Sequence, residues 1–138
     1  MDIEFIQEHP SFLFQESSLY QAKAERLLQL EGFSKNFLLS VVFMSDDDLL
    51  VINKQHLDHD FYTDIITFPI EEDDDNLEAE IYISIDRVRD NAMEFKASFS
   101  NELLRVYLHG ILHLVGYGDK TAEDKKVMRS KEQHYMSL

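Results

Sequence analysis

The chain has 138 residues, 44% of them hydrophobic and 12% aromatic, enough apolar material for one core, so one folded domain over residues 1–138 is predicted. Cysteine is absent, which excludes disulfides and thiolate metal sites and leaves nitrogen and oxygen as the available metal ligands. A formal net charge of −14 disfavours non-specific attraction to nucleic-acid phosphates, because such binding rises with cationic contacts.

The opening residues Met1-Asp2-Ile3-Glu4 lack a basic region followed by an apolar stretch. No segment reaches the roughly 20 apolar residues that span a bilayer, so a soluble, cytoplasmic protein is expected. Ile3 to Ile6 and Phe12-Leu13-Phe14 read as short extended segments around His9-Pro10 and predict an edge strand. Ser17 or Ser18 is placed to cap a helix running to about Glu31, with Gly32 as its stop. Phe37 to Met44 is apolar with β-branched residues at its centre and predicts a buried strand. Asp46 is then expected to cap a helix over roughly Asp47 to His56.

Asp64 to Phe68 predicts a second inner strand ended by Pro69, and Ala79 to Ile85 a third after an acidic loop. That loop, Glu71-Glu72-Asp73-Asp74-Asp75, and Asp46-Asp47-Asp48 concentrate eight carboxylates, so the charge of a cleft need not follow that of the chain. Asp86 is expected to cap a helix through about Phe95, and Ser98 or Ser100 to start the next, through Val115. This helix is apolar on most sides and so predicted to be central. Thr121 with Asp124 three residues on is a variant of the capping box and introduces a last helix to about Tyr135. Strands and about five helices interleave in an α+β pattern without repeats or linkers.

The most informative stretch is His109-Gly110-Ile111-Leu112-His113-Leu114-Val115-Gly116-Tyr117-Gly118-Asp119. Four residues is a little over one helical turn, so both imidazoles sit on one helix face with β-carbons about 6 Å apart. Glu102 and Arg105 lie on the same stripe, and a polar stripe on a buried helix needs partners. Gly116 and Gly118 permit the chain to reverse and bring Asp119 back towards the rings. Two imidazoles and a carboxylate would make a three-ligand metal site with positions left for water and substrate. Histidines at this spacing are also found simply hydrogen-bonded; the apolar helix, the glycine pair and the carboxylate that follows favour the metal. Gly110 stands where a gluzincin peptidase has its glutamate base. Without that base the ion would supply more of the chemistry, by lowering the pKa of its water and polarising an oxygen. Glu102 is a candidate base, or a salt-bridge partner for Arg105.

The run H-G-I-L-H-L-V-G-Y-G-D resembles the signature of the YbeY family of metal-dependent endoribonucleases, which mature ribosomal RNA and act in ribosome quality control. Asn53, followed ten residues later by Thr63-Asp64-Ile65-Ile66-Thr67-Phe68-Pro69, resembles a second family stretch, ahead of a strand at Glu80 to Ser84. The resemblance spans about Asn53 to Asp119. It implies a small mixed sheet, a metal cleft at the end of a central helix, and single-stranded or structured ribosomal RNA as substrate. Ribosomal small-subunit proteins are implied as further partners, with no role for DNA or a membrane. His109 and His113 match the first two ligands, and Asp119 stands where the family pattern has a third histidine. The expected catalytic and metal-binding set is therefore His109, His113 and Asp119. A carboxylate acidifies bound water less than a third imidazole would and widens the metal choice: zinc is the first expectation, with manganese, iron and nickel as alternatives.

Leu57 falls where that pattern has a cleft arginine, and a leucine cannot contact phosphate electrostatically. Arg105, Arg87, Arg89 and Lys54 are the candidate replacement cations, though each is also an ordinary charged residue. His56 and His59 read as solvated loop residues, Thr63 and Asp64 as fixing the strand entry through hydrogen bonds, and Tyr117 as a packing residue whose hydroxyl reaches the site rim. Two rival functions follow from the same residues: a non-catalytic ribosome-assembly factor with a structural metal, favoured by Leu57 and the acidic balance, or another small metal hydrolase such as a peptidase or phosphoesterase.

Overall fold

A computed structural model describes residues 1–138 as nine elements: β1 (Asp2–Gln7), α1 (Ser17–Leu30), β2 (Asn36–Met44), α2 (Asp46–Leu57), β3 (Ile65–Glu72), β4 (Asn76–Ser84), α3 (Ile85–Glu94), α4 (Phe99–Leu114) and α5 (Ala122–Ser137). The four strands form one mixed sheet in the order β1-β2-β4-β3; β1, β2 and β4 are parallel and β3 runs antiparallel to β4. This is the α+β domain the element pattern predicts.

The two-residue period of β2 decides which helices cover which face. Phe37, Leu39, Val41 and Phe43 point into the main core with Tyr20 and Leu27 of α1 and Tyr107, Leu108 and Ile111 of α4. Val42 and Met44 point the other way and join Leu49 of α2 and Ile66 of β3 in a small second core. The helix α4 is central as expected, because its apolar residues surround all but one stripe and eight of its residues are buried. Gly110 lets it approach the sheet closely: a β-carbon there would come within 2.7 Å of Ile65 Cδ1 and 3.0 Å of Ile81 Cδ1.

Several local expectations change. Strand β3 lies at the edge of the sheet, and it continues through Pro69 to Glu72 with a register shift between Pro69 and Glu71. Proline lacks a backbone donor, which an edge strand tolerates and an inner one does not. Phe12 and Phe14 form no strand; they fill an aromatic cluster, Phe14 lying 4.6 Å from Phe43 and 4.9 Å from Tyr20 between ring centroids. Neither Ser17 nor Ser18 caps α1, whose N-cap is Glu16 without a side-chain bond.

The caps of α2 and α3 are serines one and two residues ahead of the predicted aspartates. Ser45 Oγ accepts from the Asp48 N–H and Ser84 Oγ from the Arg87 N–H. The displaced aspartates cross-link the two helix starts instead. Asp46 accepts from the Ser84 hydroxyl at 2.9 Å and from Arg87 at 2.7 Å, while Asp86 accepts from the Asp46 N–H at 2.9 Å and meets His9 Nε2 at 2.8 Å. Ser98 caps α4, and Thr121 with Asp124 forms the complete reciprocal capping box of α5.

Candidate metal centre

His109 and His113 project from the last turns of α4 with their Nε2 atoms 2.9 Å apart. The helix ends at Leu114; the chain reverses at Gly116, whose φ of +112° lies where L side chains are strained. Asp119 returns as the sequence predicts, its Oδ2 lying 3.5 Å from His109 Nε2 and 3.3 Å from His113 Nε2. The three ligand atoms lie within 4.8 Å of one another. The side chains of His109 and His113 are 19% and 25% exposed and that of Asp119 46%, so the cluster opens to solvent on the carboxylate side.

The bonds behind the rings determine their protonation geometry. His113 Nδ1 lies 2.8 Å from the Tyr117 carbonyl oxygen, which can only accept, so this nitrogen carries the proton. His109 Nδ1 lies 2.6 Å from Glu132 Oε2. Glu132 is 1% exposed; burial acts to raise its carboxyl, but the His109 hydrogen bond and the Arg105 charge outweigh it and hold the group below the ordinary carboxylate range. An ionised Glu132 accepts, so His109 also donates from Nδ1. In their neutral form both rings therefore turn a lone pair towards the other and towards a carboxylate, three acceptors with no donor among them. A cation satisfies that arrangement, and the donor set of two imidazole nitrogens and one carboxylate oxygen fits a transition-metal ion with open positions.

A cleft of about 300 Å³ leads to these residues, lined also by Asn53, Leu57, His59, Phe61, Thr63, Asp64 and the start of β3. No lysine or arginine lines it. The four candidate cations are all engaged elsewhere. Arg105 pairs with Glu102 at 2.7 Å and Glu132 at 3.2 Å, Arg87 with Asp46, Arg89 with Asp86 at 4.0 Å, and Lys54 with Asp60 at 3.2 Å. Glu102, 3% exposed, is thus the salt-bridge partner of Arg105 and not a free base.

His59 is an exposed loop residue as read and also lines the cleft, whereas His56, equally exposed, lies within α2 with its ring 6.0 Å from that of Phe68. Thr63 and Asp64 fix the strand entry: the Thr63 hydroxyl donates to the Ile65 carbonyl and the Asp64 carbonyl accepts from the Ser84 N–H at 2.9 Å. Burial also pushes the Asp64 carboxyl up, only partly offset by the charges of Arg105 and His109. Tyr117 turns its hydroxyl away from the site to Glu31 and supplies only its carbonyl. Glu132 lies outside every motif of the sequence, although Met128, Glu132 and Tyr135 fall on one buried stripe of α5 with the acid at its centre.

The family model described as Endoribonuclease YbeY matches residues 2–138. A curated Endoribonuclease YbeY from Cytophaga hutchinsonii is 44% identical over 96% of this chain and 98% of its own length, and one from Amoebophilus asiaticus is 49% identical over 71% of this chain and 67% of its own. The solution structure of a Thermotoga maritima protein superposes with a TM-score of 0.68 at 32% identity, covering 97% of this chain and 86% of the other. With a helix that presents two imidazoles, a glycine turn that returns a carboxylate to them, and whole-length similarity to these relatives, the chain belongs to the YbeY family of endoribonucleases.

Proposed function

We propose that this YbeY-family endoribonuclease holds one transition-metal ion, zinc in the first instance, between His109, His113 and Asp119, within a single metallohydrolase domain. Its substrate on this reading is ribosomal RNA, single-stranded or structured, whose phosphodiester bonds it cleaves during maturation and quality control of the ribosome, in contact with ribosomal small-subunit proteins. The observation that carries it is the convergence of two lone-pair nitrogens and a carboxylate at the floor of an open cleft. No helix is long and apolar enough to cross a membrane, which accords with a cytoplasmic setting.

Bound there, the ion supplies Lewis acidity towards a phosphodiester oxygen and a water. The protein's own residues do the rest. Glu132 and the Tyr117 carbonyl lock both rings with Nε2 facing the cleft. Asp119 contributes one negative charge and is the most exposed member of the set. Asp64 lines the same cleft.

Metal analysis of the purified protein should show near-stoichiometric ion that His113→Ala loses, and wild type should cleave ribosomal RNA where His109→Ala does not. Unchanged metal content in His113→Ala would end the assignment. The absence of any lysine or arginine from the cleft lining favours one rival, a non-catalytic assembly factor with a structural ion; equal residual RNA cleavage by wild type and His109→Ala, with metal present in the former, would mark that cleavage as a contaminating nuclease's and select this rival.

A further inference from the structure

An RNA strand entering this cleft finds no lysine or arginine on its walls, so no side-chain cation there pairs with its phosphates. The cleft instead presents an aromatic pair. The rings of His59 and Phe61 stack with centroids 5.1 Å apart and planes 21° from parallel, and Phe61 remains 55% exposed. Both share the cleft with His109, His113 and Asp119.

The pair is held by its backbone. Asn53, 1% exposed, donates from Nδ2 to the Phe61 carbonyl at 2.8 Å, while its own carbonyl accepts from the His59 N–H at 3.1 Å. Between α2 and this pair, Asp58 takes a left-handed φ of 55° that turns the chain towards the cleft. The next aromatic differs: the Tyr62 hydroxyl donates to Asp47, and the Arg87 guanidinium lies 5.4 Å from its ring centroid. Tyr62 is thus committed to the protein surface, whereas the Phe61 ring has its backbone fixed and its face left uncovered. An exposed ring on a fixed loop is a stacking platform at little ordering cost.

We propose that Phe61, backed by His59 and positioned by Asn53, is a subsite for an unpaired nucleobase of the RNA. The inference rests on the nuclease reading and adds how the strand is gripped beside the ion. Stacking is tolerant of sequence because every base has a π-face, and it selects single strands because a base inside a duplex has both faces covered.

The test measures binding of a fluorescent single-stranded 2′-O-methyl octanucleotide, which supplies bases and phosphates, to metal-loaded wild type, Phe61→Ala and Phe61→Trp. A matching octanucleotide lacking all bases serves as control. We expect Phe61→Ala to raise Kd by about 5- to 100-fold with metal content unchanged, Phe61→Trp to bind as wild type, and the abasic strand to bind wild type and Phe61→Ala alike. Equal binding of the base-bearing strand by wild type and Phe61→Ala, in protein that still cleaves RNA, overturns the subsite and leaves the nuclease reading standing. Failure of wild type either to bind or to cleave RNA overturns both.

Discussion

Glu132 reaches His109 from a different helix and carries no signal in the H-x-x-x-H run, yet it fixes which nitrogen of that ring faces the cleft. It also receives Arg105, so one buried carboxylate serves two partners. Glu132→Gln should lower metal affinity by about 10–100-fold, as losses behind a ligand typically do, measured by competition with a chelator. The effect should exceed that of Glu102→Gln, which leaves the His109 bond intact. Asp119→His replaces a carboxylate with a neutral imidazole, removing a negative charge from the ligand set. Competition between zinc and manganese should then shift towards zinc in this variant, because harder metals favour carboxylate oxygen. Of these two residues, Asp119 was legible because it lies six residues beyond His113, whereas Glu132 needed the docking of α5 on α4.

At the scale of elements, α4 and the turn after it carry the site, and two glycines act on it by different physics. Gly116 has nothing within 4 Å of a β-carbon position, so substitution there is opposed only by its φ of +112°. Gly116→Ala should cost about 1–3 kcal/mol of stability and weaken metal binding, because the turn that returns Asp119 is strained; thermal melts with and without zinc would separate the two effects. Gly110 has an ordinary helical backbone and a crowded exterior, facing Ile65, Ile81 and Thr67. Gly110→Val should destabilise by about 1–3 kcal/mol through overpacking against β3 and β4, read from chemical denaturation. Helix positions were legible from hydrophobic period and stop signals. Cap identity was less so, since aspartate and serine are both good N-caps and the choice at Ser45 and Ser84 depends on Asp46 and Asp86 being drawn across to each other's helix.

Across the whole molecule, Glu31 at the end of α1 joins parts distant in sequence. It accepts from the hydroxyls of Tyr117 and Tyr135 and from Lys131 at 2.9 Å. Burial acts to raise its carboxyl, but the bonds from Tyr117, Tyr135 and Lys131 outweigh that and lower it. A depressed folded value means the contribution to stability is fully present above the ordinary carboxylate range and is lost as pH falls through the lower folded value. Wild type should therefore lose more stability than Glu31→Gln on acidification across that interval, followed by urea denaturation at a series of pH values. The net charge of −14 and the cation-free cleft make a second molecular prediction. The slope of log affinity for single-stranded RNA against log salt should be shallow, no steeper than about −1, because few phosphates are neutralised.

The α+β class, the five helices, the central position of α4 and the gathering of His109, His113 and Asp119 in space follow from local patterns, because helical period and turn chemistry act over short separations along the chain. Tertiary structure alone decided that β3 is an edge strand, that Arg105, Arg87, Arg89 and Lys54 are bound to acids outside the cleft, and that Glu132 stands behind His109. Those facts depend on which distant side chains meet, and no local pattern of residues encodes such meetings.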